Sequence, residues 1–160
     1  MIEAFGPSRR LTLSRHYKAP RDLVWSVWTD PKHVAAWWGP FGPEQTQCDI
    51  EAIVGGTFLV AMTAPDGSKH PSRGLIKEFD PPNKLVIEGD AEAPDACGAG
   101  LPPRAIITVS FKEEDGGTRL TLVAEFPSDV ARNAAIASGY VSSWNETLDA
   151  LEPFLAELTV

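Results

Sequence analysis

Side chains that could transfer protons gather in one short stretch, SKHPSRGLIKEF at residues 68–79. If this stretch is a strand, alternate residues share a face, so His70 and Glu78 lie on the same side. A glutamate enclosed there, beside His70 or Arg73, would have a raised pKa and could act as a general acid or base. Pro71 leaves the register of this strand open. The alternative is that Glu78 and Arg73 are ordinary exposed residues of a strand.

Patterns for metal binding and nucleophilic catalysis are absent from the sequence. The three histidines stand alone, without HxH, HxxxH or HExxH spacing, and the two cysteines form no CxxC, so we predict no metal site. Cys48 alternates with Ile50 and Ala52, which favours packing as a small buried residue over a nucleophilic role. No GxSxG, phosphate-loop or dinucleotide-binding glycine pattern occurs, and we predict no cofactor.

Tryptophan is concentrated in one region, where VWSVW is followed by AAWWGP. Neighbouring residues on a helix point about 100° apart, so Trp37 and Trp38 face different surroundings. One interpretation places Trp25, Trp28 and one of the adjacent pair in the core, since each tryptophan buries a large apolar area. We favour an interpretation in which one of the pair fills the core and the other lines the rim of a cavity near Phe41.

The composition is that of a globular protein that avoids polyanions. The chain of 160 residues is 43% hydrophobic and 22% charged, with a net charge of −8, which suits a single domain over residues 1–160 with an ordered core of about 8–158. Nucleic acids and anionic membranes attract clustered Lys and Arg, which this chain lacks. No signal-peptide pattern or apolar run of ~18 residues is present. We therefore expect a cytoplasmic protein that binds neither nucleic acid nor membrane.

The elements that would position these residues follow from periodicity. Alternation predicts a first strand at residues 9–17, and two short helices follow, separated at Asp30-Pro31. Further strands are predicted within 45–62, 68–79 and 84–89 and as the pair RAIITVSFKEE and TRLTLVAEF. Their tight turns, at Gly55-Gly56 and Asp115-Gly116-Gly117, are typical of antiparallel hairpins. The stretch 90–104, rich in Ala, Gly and Pro, is predicted to be a flexible loop.

The C-terminal part of the chain changes to a helical period. Apolar residues recur at steps of three and four from Ile136 to Leu158, which predicts one continuous helix of roughly seven or eight turns, capped by Ser128 or Asp129. Pro153 should kink or interrupt its last turns. Such a helix must lay its apolar stripe on the sheet. We predict an α+β fold in which an antiparallel sheet of about six or seven strands curls around this helix.

Five stretches of the chain resemble the START-like, or SRPBCC, superfamily. They are APRDLVWSVWTDPKHVAAWWGP, IVGGTFLVAMTAPDG, FDPPNKLV, GGTRLTLVAEF and WNETLDALEPFL. Within that superfamily the chain resembles the branch named after the activator of the heat shock protein 90 ATPase. The resemblance implies the helix-grip fold of the major birch-pollen allergen, with two short helices after the first strand. It also implies a cavity between the curved sheet and the long C-terminal helix.

Cavities of this superfamily commonly enclose small hydrophobic molecules, and the resemblance implies which residues line this one. Carried over position by position, the ligand-binding residues are Trp28, Trp38, Phe41, Cys48, Phe58, Val60, Met62, Ile76, Tyr140, Trp144 and Leu148. The loop at 90–104 is longer than expected of the branch and would reshape the mouth of the cavity. Chaperone activators of the branch carry a separate N-terminal domain that has no counterpart here, which argues against chaperone activation.

Three functions are compatible with this pattern. We expect a protein that binds a small hydrophobic or aromatic molecule without cofactor or metal, rather than an enzyme. The first alternative is a cyclase- or dehydratase-like enzyme that uses the same cavity, with Glu78, His70 or Tyr140 handling protons. The second is a protein that interacts with heat shock protein 90 and activates its ATPase. A homodimer formed through an exposed aromatic side chain near residues 37–41 is a further hypothesis.

Overall fold

The computed structural model describes residues 9–38, 43–90 and 101–158. Within them the strands are β1 (Arg10–Tyr17), β2 (Thr46–Ile50), β3 (Thr57–Thr63), β4 (Lys69–Asp80), β5 (Lys84–Gly89), β6 (Ile106–Glu114) and β7 (Gly117–Glu125). The helices are α1 (Arg21–Thr29), α2 (Pro31–Trp37), α3 (Asp129–Ala137) and α4 (Tyr140–Leu158), with a short 3-10 turn at Pro43–Gln45. No helix among these residues is long and apolar enough to cross a membrane.

The seven strands form one curved antiparallel sheet in the order β1-β7-β6-β5-β4-β3-β2. Strands β2 to β7 pair in chain order, and β1 joins the far side of β7, with Arg10 opposite Glu125 and Tyr17 opposite Thr118. The two edge strands are therefore β1 and β2. The predicted helix-grip architecture is confirmed, with seven strands in the sheet.

Glycine and aspartate set the register at two of the predicted hairpins. Between β6 and β7, Asp115 and Gly116 have φ of 48° and 75°, as a two-residue type I′ turn requires. Between β2 and β3, Gly55 has φ of 87°. A side chain on the neighbouring Gly56 would collide with the Glu51 carbonyl. These turns fix which residues of each strand face the core.

The two short helices lie between the sheet and α4. Helix α1 packs on β6 and β7, α2 packs on β2, and both contact α4. The chain bends between them at Asp30, whose carboxylate accepts a hydrogen bond from the Lys32 N–H at 3.0 Å, while Pro31 occupies the first helical position. This cap confirms the predicted break, because Pro31 has no N–H to offer α1 and fits the first turn of α2.

The C-terminal segment is two helices, and the prediction of one continuous helix is wrong. Helix α3 begins at the cap Ser128, whose hydroxyl accepts from the Ala131 N–H at 3.0 Å. It ends before Gly139, which has φ of 95°, the left-handed conformation that commonly ends helices. Helix α4 then continues through Pro153, so of the two predicted effects of this proline, a kink or an interruption, the interruption is wrong. Pro153 is exposed, so water can reach the carbonyl that loses its intrahelical bond.

The hydrophobic core fills the space between the inner face of the sheet, the short helices and α4. Alternate residues of the central strands enter it, and every third or fourth residue of α4 does so from the other side. Fully buried examples are Ile76, Ile107 and Leu122 from the sheet and Leu148 and Leu151 from α4. The sheet and α4 therefore bring the side chains of the candidate site together.

Candidate functional site

An aromatic cluster joins the short helices to α4 and the sheet; it consists of Trp28, Trp37, Trp38, Phe58 and Trp144. The rings of Trp28 and Trp144 stack nearly parallel, with centroids 5.8 Å apart and planes 12° apart. Trp37 lies beside Trp28 at 4.7 Å and beside Trp38 at 5.5 Å. Trp38 meets the edge of Trp144 at 5.6 Å and Phe58 at 6.0 Å. Side chains from three helices and one strand thus form one continuous aromatic surface.

Both members of the adjacent tryptophan pair are buried, with 6% of Trp37 and 4% of Trp38 exposed. The Trp37 indole donates a hydrogen bond to the Val27 carbonyl at 2.6 Å, which ties α2 to α1. Trp38 contacts Phe58 of β3 and Trp144 of α4 instead. Neither therefore supplies the exposed aromatic surface that the homodimer hypothesis required. Phe41 lies outside the described residues, and its place at a cavity rim stays a prediction.

Three polar atoms in this part of the core have no hydrogen-bond partner. They are the indole nitrogens of Trp28 and Trp144 and the hydroxyl oxygen of Tyr140, on side chains that are each 1% exposed. Buried tryptophan N–H and tyrosine hydroxyl groups ordinarily find a partner. Leaving one without a bond costs about 1–3 kcal/mol in the free energy of unfolding. Of the five buried side-chain atoms without a partner among the described residues, these three lie in this part of the core, and the other two belong to Arg21 and Arg132.

Tyr140 is the one titratable group among the three. Burial raises the pKa of its hydroxyl strongly, and the Trp144 indole N–H, one turn along α4, opposes that rise. Trp144 acts on this pKa as a hydrogen-bonding neighbour, so the two groups lie within reach of each other, although their atoms do not meet the distance and angle of a formed hydrogen bond. On the other side, the Tyr140 ring meets the edge of Phe126 at 5.5 Å. The hydroxyl stays a neutral phenol at physiological pH and can both donate and accept.

Ten of the eleven predicted cavity residues lie in or against the same hydrophobic core. Those fully buried are Trp28, Trp38, Phe58, Val60, Ile76, Tyr140, Trp144 and Leu148. Cys48 and Met62 are partly buried and pack against them. The eleventh, Phe41, lies outside the described residues. The family resemblance implied this set, and strand alternation and the stripe of α4 agree with the inward direction of its members on those elements; their role in binding a ligand stays a prediction.

The predicted acid–base residues are not brought together, and the hypothesis of an enclosed Glu78 is wrong. The Glu78 side chain is 49% exposed and its carboxylate pairs with the Lys84 ammonium at 3.2 Å. A bulge between Ile76 and Glu78 places Glu78 opposite Val86, which shifts the alternation by one residue and turns Glu78 outward. Simple alternation from the buried Ile76 predicted the opposite face.

His70 is also exposed, in a hydrogen-bonded row with Asp66 and Ser68. The Ser68 hydroxyl donates to the Asp66 carboxylate at 2.6 Å, and the His70 Nε2 lies 3.1 Å from the same hydroxyl. The bonds from Ser68 lower the pKa of Asp66. In a nucleophilic triad the histidine would accept the serine proton and the acid would orient the histidine. Here the serine bonds the acid directly, so the row braces the turn before β4.

Cys48 is a half-buried thiol on the edge strand β2. Burial, followed by the nearby carboxylates of Asp49 and Asp30, raises the pKa of Cys48 to about 12. A thiol with so high a pKa stays protonated at neutral pH and is a poor nucleophile, in keeping with the predicted packing role. Across the described ranges, no three His, Cys, Asp or Glu side chains lie together as metal ligands would.

Arg132 on α3 is a buried polar residue that sequence reasoning missed. It is 7% exposed, its Nε donates to the Arg10 carbonyl at 3.0 Å, and its Nη2 has no partner. Its position could have been found, because it lies four residues before Ile136 and therefore continues the apolar stripe. An arginine at a position where the helical repeat of apolar residues expects an apolar side chain indicates a buried cation.

A groove of about 390 Å³ opens where α1 begins beside the β6–β7 hairpin; its lining is Pro20, Arg21, Asp22, Glu113, Glu114, Asp115, Gly116 and Gly117. It is predominantly acidic. The Arg21 guanidinium lies 3.7 Å from the Glu113 carboxylate, and a hydrogen bond from Arg119 lowers the pKa of Glu114. These partners compensate part of the negative charge of the groove.

The chain is similar to one protein family and to several solved structures. The family model described as "Activator of Hsp90 ATPase homolog 1-like protein" matches residues 18–156. A crystal structure of a Nitrosomonas europaea protein is 24% identical, with a TM-score of 0.79 and 99% of both chains covered. A Mycobacterium smegmatis protein is 24% identical, with a TM-score of 0.75, covering 94% of this chain and 93% of the other. An AHSA1-like protein from Aeromonas hydrophila is 19% identical, with a TM-score of 0.62, covering 89% and 93%.

No protein of curated function matches the chain significantly. These three solved structures are each less than 25% identical to it, and at that distance a likeness carries the fold alone. The function must therefore be argued from the side chains of this protein.

Proposed function

This chain belongs to the family described as Activator of Hsp90 ATPase homolog 1-like protein, and from that premise we propose that it binds a small hydrophobic or aromatic molecule between its sheet and α4. The observation that carries the proposal is the unpaired state of the buried polar atoms of Trp28, Trp144 and Tyr140. A ligand atom that bonded to them would offset the cost of their burial.

The side chains around those atoms indicate that most of the ligand is apolar. The rings of Trp38 and Phe58 and the side chain of Leu148 belong to the same buried cluster. Apolar surface of this kind gains free energy by covering apolar or aromatic atoms, at roughly 25 cal/mol per Å² removed from water. A few polar groups within an apolar lining are typical of small-molecule sites. The molecule would therefore be largely apolar.

Two of the three residues that the enzymatic alternative needs for proton transfer do not lie in the core. Glu78 and His70 are exposed, which leaves Tyr140 as the one candidate within the core. Because burial raises the pKa of Tyr140, its hydroxyl does not release a proton at neutral pH. General acid–base catalysis favours a group whose pKa lies near the working pH. Binding without chemistry is accordingly the function that we propose.

The test is a thermal-shift screen of the protein against small apolar and aromatic molecules. A ligand at ~100 times its Kd stabilises the folded state by about 2.7 kcal/mol. The shift on adding a hit should shrink in Trp144→Phe, which alters the aromatic cluster. It should persist in the matched variant Trp25→Phe, because Trp25 is buried against Phe79 and Phe111 instead.

Two results would contradict the proposal. The first is a broad screen without a hit. The second is a hit whose shift is the same in both tryptophan variants, since the molecule would then bind elsewhere. Activation of heat shock protein 90, the remaining alternative, would act through the surface and would be indifferent to Trp144→Phe. A chaperone ATPase assay with the same two variants therefore separates the two functions.

A further inference from the structure

We infer that the bound molecule presents a neutral hydrogen-bond acceptor, such as a ketone, ester or amide oxygen, to the Trp144 indole N–H and the Tyr140 hydroxyl. This inference rests on the proposed function and specifies the chemistry of its ligand. It depends on which polar atoms are unpaired, on where they lie along α4 and on the charges that surround them.

The unpaired atoms are mainly donors. An indole nitrogen can only donate a hydrogen bond, and a phenol hydroxyl can donate as well as accept. Trp144 and Tyr140 are four residues apart on α4, so their side chains lie on the same face of the helix. The Trp144 indole lowers the pKa of Tyr140 as a hydrogen-bonding neighbour, so the two groups lie close together, although neither completes a hydrogen bond of good geometry. One acceptor oxygen beside them would satisfy donors that the protein leaves without a partner.

The acceptor should be uncharged, because the aromatic cluster contains no cation. Of the charged side chains that the structure describes, Arg132 is the one buried. Its guanidinium already donates to the Arg10 carbonyl and to the Asn133 side chain. Moving a carboxylate into apolar surroundings without a paired cation costs several kcal/mol. A ketone or ester oxygen avoids that cost and still accepts the two bonds.

A cationic ligand is disfavoured by the same geometry. Cations bind over the open faces of aromatic rings. The face of Trp28 is covered by Trp144 in the parallel stack, and Trp37 and Trp38 lie close against these rings. The unpaired indole N–H groups of Trp28 and Trp144 repel a cation, and the neutral Tyr140 oxygen is too weak an acceptor to replace the water that a cation loses on burial.

The experiment uses matched probes that differ in one group. Acetophenone carries the acceptor, cumene replaces its oxygen by a methyl group of similar size, and benzoate carries a charge. The naphthalene series 2-acetylnaphthalene, 2-isopropylnaphthalene and 2-naphthoate offers a larger apolar body. Cumene is more hydrophobic than acetophenone, so the quantity measured is the ratio of their Kd values, and how that ratio changes between variants.

We expect the relative affinity for the ketone to fall about threefold to tenfold in Tyr140→Phe and in Trp144→Phe, the effect of one neutral hydrogen bond. The matched control is Tyr17→Phe, because the Tyr17 hydroxyl is buried but bonded to the Leu148 carbonyl at 2.6 Å. In that variant the ratio should stay at the wild-type value.

A second measurement requires no variant. The carbonyl stretch of bound acetophenone, recorded by infrared difference spectroscopy, should move to lower frequency than in an alkane solvent, as it does when the oxygen accepts hydrogen bonds. A bound ketone with the alkane frequency would overturn the inference.

The outcomes separate this inference from the function on which it rests. If the ketone and the hydrocarbon both bind and both lose the same affinity in Trp144→Phe, so that their ratio is unchanged, the interior site exists but the acceptor has no role. If benzoate or 2-naphthoate binds more tightly than the matching ketone, the ligand is an anion and Arg132 becomes the residue to substitute. If no member of either series binds, the proposed function is wrong as well.

Discussion

Tyr17 and Tyr140 are two buried tyrosines in opposite circumstances. The Tyr17 hydroxyl donates to the Leu148 carbonyl at 2.6 Å and so ties β1 to α4. The Tyr140 hydroxyl has no partner. Burial raises the pKa of both groups, so burial alone does not distinguish them. They differ in the hydrogen bond, which Tyr17 makes and Tyr140 lacks. Comparing the two residues therefore measures how much an unpaired buried hydroxyl lowers the free energy of unfolding.

Substituting each tyrosine by phenylalanine should therefore give different results. We expect Tyr17→Phe to lower the free energy of unfolding by about 0.5–1.5 kcal/mol, the net value of one hydrogen bond. Tyr140→Phe should leave the free energy of unfolding unchanged or raise it, because no bond is lost. Urea unfolding of the ligand-free protein measures both. Equal losses in the two variants would mean that the Tyr140 hydroxyl has a partner after all.

Because of Cys48, the free energy of unfolding should decrease as the pH rises through the alkaline range. The pKa of Cys48 is about 12 in the folded protein against 9.0 without burial. Between those values the unfolded chain loses the thiol proton while the folded chain keeps it. The stabilising contribution is therefore complete below about pH 9 and is lost as the pH rises toward about 12. In Cys48→Ala the free energy of unfolding should fall less between about pH 8 and pH 11 than in the wild type. An identical fall in both proteins would contradict the raised pKa.

At the scale of elements, the break between α3 and α4 and the bulge in β4 are the two features that sequence patterns failed to predict. The apolar stripe passes from Ile136 to Tyr140 at the ordinary step of four, so the pattern gives no sign of the break at Gly139. In β4 the residues that face the core pass from Ile76 to Phe79, a step of three that marks the bulge and that simple alternation from Ile76 overlooks.

Substituting Gly139 by alanine distinguishes one continuous helix from two helices, because the change in the free energy of unfolding has the opposite sign in the two cases. Inside a continuous helix, Gly139→Ala would raise the free energy of unfolding by about 1 kcal/mol, because alanine favours helix. At the observed φ of 95° an alanine is strained although space is open around it, so we expect a loss of about 1 kcal/mol or more. Asparagine tolerates this conformation better. The expected order of stability is Gly139, then Gly139→Asn, then Gly139→Ala, measured by urea unfolding.

At the scale of the whole molecule, the two edges of the sheet differ in how they are held. The edge strand β2 has five residues, pairs with β3 and packs against the seven-residue helix α2. The edge strand β1 has eight residues, and side chains also secure it: Arg15 bonds Asp149 and Asn145 of α4. Local opening is easiest where few buried contacts are lost. The β2 edge should therefore open at a lower free energy than the β1 edge.

Hydrogen exchange measures this asymmetry directly. We expect the amides of β2 to exchange first, those of β1 later, and those of the central strands β6 and β7 last. The control is Arg15→Met, which removes the bonds to α4 and should speed exchange in β1 without changing β2. Exchange in β2 as slow as in β6 would contradict the expected order.

Most of the architecture could be predicted because it depends on periods that the sequence repeats many times. Strand alternation, the helix cap at Asp30 and the glycine turns each agree with the sheet that forms. The residues of the candidate site were named from the family resemblance, and periodicity agrees only with the burial of those on the strands and α4. The chemistry of the site was not predicted, because the unpaired state of Trp144 and Tyr140 depends on the positions of a few atoms. Periodicity specifies only the face of the helix on which those residues lie.

Among the described strands, the first, β1, pairs with the last, β7, so the sheet cannot be completed until β7 has been synthesised. Arg10 of β1 is bonded to Glu125 of β7, 115 residues later. During translation, β2 to β7 can pair as each strand emerges, whereas β1 leaves the ribosome first and waits for its partner. Closing so long a loop is slow compared with forming a hairpin. Leu11 and Tyr17, buried in the finished sheet, are exposed during that interval. A nascent chain stalled before residue 117 should therefore bind holdase chaperones through its N-terminal segment.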